Sequence, residues 1–120
     1  MFLKNQKLQA VAPNVILRYK IDEIENMSVT KGGIFMATHF NRGYFSLQKA
    51  EVVSVAEGNV KTNKSMEGKY VLVDYLVSFD ESNGGEVRKN ANFIDYDENG
   101  NHLRHCHEEQ IYAIIDLMNH

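Results

Sequence analysis

Residues 70–77 read Tyr70-Val71-Leu72-Val73-Asp74-Tyr75-Leu76-Val77, a short apolar run bounded by polar residues on both sides. In an extended chain successive side chains alternate, so Val71, Val73 and Tyr75 share one face and Leu72, Asp74 and Leu76 the other. Both faces are mostly apolar, which predicts a strand in a central or interface position. The run is too short to cross a bilayer and is interrupted by Asp74. Upstream, residues 58–69 are polar enough for a surface connection, and residues 50–55 return to strand composition. Further upstream, residues 8–19 are rich in Val, Ile and Leu, with Val15, Ile16 and Leu17 in one block. Pro13 has no backbone donor and suits the start or edge of a strand, which places the early part of this one at a sheet edge. Downstream, residues 78–90 contain Asn83, Gly84 and Gly85 and predict a turn or excursion. Residues 93–96 and 102–105 flank Asp97-Glu98-Asn99-Gly100, a hairpin signature because Asn and Gly tolerate positive φ. Residues 111–117 form a last apolar strand. Several short strands, regular turns and no convincing helical period predict an all-β chain, a small barrel or sandwich.

Composition fits that reading. A chain of 120 residues forms one domain and buries a single core. An apolar fraction of 43% and mean hydropathy of -0.39 describe an ordinary soluble protein. Cys106 has no partner for an internal bridge, which favours a cytoplasmic setting. Residues 1–9 lack the apolar block of a secretory signal, so export is not expected. A net charge of -3 and a pI near 5.9, with scattered Lys and Arg, argue against a nucleic-acid partner, and nothing points to a membrane.

The long segment at about residues 21–47 departs from strand patterning. It is polar and punctuated by glycine, and a connection of this length is usually functional or disordered. Its one solid apolar cluster is Ile34, Phe35 and Met36, directly after Lys31-Gly32-Gly33. Such a triplet suits either a short buried strand or a docking motif that orders on a partner. The glycine pair itself fits neither the P-loop spacing nor a dinucleotide fingerprint.

Other clusters offer less chemistry. His102, His105, Cys106 and His107 are of zinc-ligand type. Strand alternation, however, puts His105 and His107 on one face and His102 and Cys106 on the other, so the set does not converge. No serine sits in a nucleophile elbow, and Asp95, Asp97 and Glu98 read as a solvated hairpin tip. No enzyme, metal or cofactor is predicted. The readings kept in competition are a protein-binding module, a monomeric β-barrel adaptor, and a zinc-binding enzyme built on the 102–107 cluster.

Motif order brings a resemblance into view. Ala10-Val11-Ala12-Pro13-Asn14-Val15-Ile16-Leu17, Ser28-Val29-Thr30-Lys31-Gly32-Gly33-Ile34-Phe35-Met36, Ala50-Glu51-Val52-Val53-Ser54-Val55-Ala56-Glu57-Gly58, Glu67-Gly68-Lys69-Tyr70-Val71-Leu72-Val73 and Glu108-Glu109-Gln110-Ile111-Tyr112-Ala113-Ile114-Ile115 resemble, in that order, segments of the GroES-type co-chaperonins. The resemblance implies a small β-barrel over residues 1–120 whose mobile loop docks on a GroEL-type chaperonin through Gly32, Gly33, Ile34, Phe35 and Met36. It implies a homo-oligomer, a heptameric dome capping the ATP-bound ring over an unfolded client protein. It also implies a subunit seam between Val15, Ile16 and Leu17 and Ile111, Ala113, Ile114 and Ile115. The first strand and loop look closest to co-chaperonins of T4-like phages, and a viral version would serve a capsid protein in the host cytoplasm. Residues 58–70 are shorter than the family's roof connection. Residues 78–107 are longer than its usual segment and carry an extra hairpin.

Overall fold

A computed structural model describes residues 7–21 and 47–115, and the described chain is all-β. Eight strands run in chain order: β1 (Asn14–Tyr19), β2 (Leu47–Val55), β3 (Tyr70–Asp74), β4 (Glu81–Asn83), β5 (Glu86–Arg88), β6 (Phe93–Tyr96), β7 (His102–His107) and β8 (Ile111–Ile115). Six form one antiparallel sheet in the order β6-β7-β1-β2-β3-β8, while β4 and β5 make a separate hairpin.

Alternation in β1 sends Val15, Leu17 and Tyr19 into the core. Opposite them, β2 contributes Ala50 and Val52, then Val55. The change of step from two to three has a local cause: Ile16 pairs with Ser54 and Leu17 with Val52, so Val53 is an extra residue. A bulge of this kind moves every later side chain to the opposite face. Val71 and Val73 of β3, Cys106 of β7, and Met66 and Val77 from connecting turns complete the cluster.

β1 lies between β7 and β2, with both of its flanks paired. The edge position expected from Pro13 is therefore corrected. Pro13 precedes the strand, in a turn where the Asn14 amide donates to Val11 O at 2.9 Å. The predicted run over residues 70–77 ends earlier as a strand, because the Asp74 carboxylate accepts from the Leu76 amide at 3.0 Å and starts a 3-10 turn at Tyr75–Val77. The predicted hairpin around residues 97–100 is present between β6 and β7.

On the face of the sheet away from the core, Ile16 and Leu103 are also buried. The stretch 7–13 runs over this side, where the Ala10 amide donates to Ser54 Oγ at 3.0 Å and Leu8 lines a groove with Val53 and Leu103.

Candidate functional site

The docking residues expected from the sequence, Gly32, Gly33, Ile34, Phe35 and Met36, lie outside the described residues. Their anchorage is described. β1 and β2 are antiparallel neighbours, with Arg18 opposite Glu51, and residues 22–46 connect them. Two adjacent antiparallel strands need only a few residues to join them, so the connection carries far more chain than the gap requires.

The root of this connection is braced by charge. Arg18 donates to Glu51 Oε1 through Nη1 and to Asp97 Oδ2 through Nε, both at 3.0 Å. Lys20 approaches Glu51 at 3.8 Å and lies 5.9 Å from the centroid of the Tyr70 ring. The Ile21 amide donates to Asn101 Oδ1 at 3.0 Å. Asp97, expected at a solvated tip, instead takes amide bonds from Asn99 at 2.8 Å and Asn101 at 2.9 Å beside its Arg18 pair. Burial raises its carboxyl pKa, but the Asn101 side-chain amide, which donates to Oδ2 at 3.0 Å, together with these donors outweighs that and holds it below the usual range.

The residues expected at a subunit seam divide into two groups. Val15, Ile16 and Leu17 are buried within the chain, and their strand has no free backbone edge. The backbone pairing of β1 is thus taken up within the subunit. β8 pairs with β3 on one side only, and among the described residues its other edge has no strand beside it. Ala113 and Ile114 are exposed on it, Ile111 and Ile115 are half-buried, and Tyr112 is 58% exposed.

Two buried clusters were not read from the sequence. In the first, Glu108 accepts from the Lys61 amide at 2.7 Å, the Thr62 amide at 2.9 Å and Thr62 Oγ1 at 3.0 Å through Oε1, and from the Val60 amide at 3.1 Å through Oε2. In the second, Arg104 forms a two-pronged pair with Asp80, at 3.1 Å and 2.8 Å, and also donates to Asn90 Oδ1 at 2.8 Å. Asn90 Nδ2 then donates to the carbonyls of Leu76, Val77 and Phe79, so the base of the β4–β5 excursion is pinned to the sheet. The turn residues Asn83, Gly84 and Gly85 signalled an excursion, but only the folded chain brings Arg104 to its base.

The His and Cys cluster disperses. Cys106 is packed in the core and burial pushes its thiol up to about 12. His102 is buried beside Phe93 and Tyr96, and burial, with Lys89 and Arg104 nearby, lowers it to about 4. His107 is exposed and caps the Glu108–Gln110 turn. Among the described residues no three His, Cys, Asp or Glu side chains group to hold a metal.

No significant match to a curated protein or to a solved structure was found. The family model for the chaperonin 10 Kd subunit matches residues 7–115, which includes the six-stranded sheet, the long β1–β2 connection and the closing strand β8. On that match, the chain belongs to the chaperonin 10 Kd subunit family.

Proposed function

We propose that this protein is a co-chaperonin that caps a GroEL-type chaperonin ring and encloses client protein for folding. Co-chaperonin action is what its family suggests, and that family is not enzymatic. The reading is carried by the 25-residue connection 22–46 set between two strands that are already neighbours. Its root is held by Arg18, Glu51 and Asp97, while its one apolar triplet follows a glycine pair.

The energetics suit capping. Burying Ile34, Phe35 and Met36 in a groove is worth about 4.5–9 kcal/mol gross, at roughly 1.5–3 kcal/mol per side chain. Ordering the segment takes back about 2–5 kcal/mol. A single contact is then weak, and a lone subunit dissociates quickly. Joining several copies in one ring makes each later contact intramolecular, which raises avidity by orders of magnitude. Weak individual contacts also allow release when the partner's nucleotide state changes.

The ring itself is proposed to close through the outer edge of β8, where Tyr112 and Ile114 are exposed, against the exposed stretch 7–13 of a neighbour, in which Val11 is 74% exposed. An uncovered edge strand bearing apolar side chains invites association, and pairing it in a closed ring removes that hazard. A heptamer, an ATP-bound partner ring, and a phage origin with a capsid protein as client are the finer parts of this proposal.

Replacing Ile34 and Phe35 together by Ser tests it. Capping of a chaperonin is abolished, while light scattering still reports the ring. Loss of the ring itself would place the triplet in the core and remove the docking role.

A further inference from the structure

We infer that Glu108 is an assembly-positioning residue, a buried carboxylate that sets the two halves of the subunit seam relative to each other. The inference rests on the ring reading above. Three separate segments meet at this one residue. Its carboxylate takes four hydrogen bonds from Val60, Lys61 and Thr62, at 2.7–3.1 Å. Its amide donates to Pro13 O at 3.0 Å, at the end of the exposed stretch 7–13. Its own turn, Glu108–Gln110, is closed by reciprocal His107 and Gln110 contacts and leads directly into Ile111 of β8.

The loop gathered by the carboxylate returns to the N-terminal segment as well. Asn59 Nδ2 donates to Asn14 O at 3.1 Å and to Thr62 Oγ1 at 2.9 Å. The entrance to β8 is thus tied to this loop by the Glu108 carboxylate, on a residue 6% exposed, while the exit from stretch 7–13 is held to the same joint by the Glu108 amide and to the loop by Asn59. Both strips of the proposed seam start at this joint. A shift here changes the angle between them and spoils closure of a ring in every copy at once, because each interface uses both strips.

The chemistry of the site requires a carboxylate. Three successive backbone amides and one hydroxyl converge on two oxygens, and an anion accepts all four bonds. Glu108→Gln keeps the shape but replaces one oxygen by an NH2 donor that must face an amide N–H. The joint then loses a bond and gains a donor–donor contact.

The test measures ring dissociation by native mass spectrometry across a dilution series, at a temperature where circular dichroism shows every variant folded. Glu108→Gln is expected to raise the subunit concentration at half-dissociation by tenfold or more. Val77→Ala, a cavity in the core away from the joint, is expected to lower thermal stability and leave that concentration unchanged. If Glu108→Gln folds and assembles like wild type, or if Val77→Ala shifts assembly as strongly, the inference is overturned. Should Glu108→Gln fail to fold, Thr62→Val, which removes the hydroxyl that donates to Glu108 and accepts from Asn59 Nδ2, carries the test: a smaller shift in the same direction supports the joint and no shift overturns it. A wild-type chain that is monomeric at every concentration defeats the ring reading instead, and this inference with it.

Discussion

Arg104 is the most deeply buried charged side chain described, 2% exposed; Asp80, Asn90 and the Val77 carbonyl hold it through Nη1 and Nη2, while its Nε has no hydrogen-bond partner among the described residues. Its guanidinium also lies 5.8 Å and 5.5 Å from the Tyr19 and Phe93 ring centroids. Removing Arg104 leaves Asp80 with only Lys89 at 3.9 Å and the Asn90 amide, so Arg104→Met is expected to cost about 2–4 kcal/mol, below the full penalty of an uncompensated buried charge. Urea unfolding read at constant slope measures it, and a cost under about 1 kcal/mol would contradict this account of the pair. Acid stability follows from the same residues. Burial raises the carboxyl pKa of Asp80, but bonds from Arg104 and the Asn90 amide more than offset that and lower it below its ordinary 3.8. Glu108 is likewise held below its ordinary 4.5, burial being outweighed by the Val60, Lys61 and Thr62 donors. A carboxyl with a depressed folded-state pKa contributes stability that is complete above its unfolded value and is lost as pH falls through the folded one. Stability from these two groups is thus expected to be level from neutral pH down to about 5 and to fall below about 4. The acid slope should flatten in Asp80→Asn; an unchanged slope would exclude Asp80 as a contributor.

At the level of elements, β1 is the pivot, since it pairs with β7 on one side and β2 on the other. Leu17 on its core face is fully buried, and Leu17→Ala is expected to cost about 2–5 kcal/mol through lost transfer energy and a cavity. Thermal unfolding checks this, and a loss well under 1 kcal/mol would show that the site collapses around the smaller side chain. The same strand marks how far the sequence could be read. Its composition located it, and alternation correctly separated His105 and His107 from Cys106 on β7. Pro13 misplaced it in the sheet, because a strand's neighbours are decided by pairing with distant residues and not by its own pattern. The end of β3 was missed for a local reason: an Asp74 side chain that caps a turn looks, in sequence, like one polar residue in an apolar run. The Glu108 joint was unreadable for the opposite reason, since its donors are backbone groups 46 to 48 residues away and backbone amides leave no trace in composition. The apolar triplet Ile34, Phe35 and Met36 stood out because glycines and charges isolate it, although it falls outside the described residues.

For the whole molecule, the sheet leaves β8 with one side unpaired among the described residues, and Ile114 is 45% exposed there. A charge placed at that position meets the neighbouring copy in the proposed ring and water in a monomer. If the ring forms, Ile114→Lys is therefore expected to convert it to single chains while leaving the circular dichroism spectrum unchanged. Light scattering distinguishes the outcomes, and an intact ring would move the seam away from β8. Binding to a chaperonin is the property on which the proposed function stands. Its most direct test is co-sedimentation of the full-length protein with a GroEL-type chaperonin, with and without ATP. The account predicts co-sedimentation that requires ATP and is lost when Ile34 and Phe35 are both replaced by Ser; no association in either nucleotide condition would contradict it.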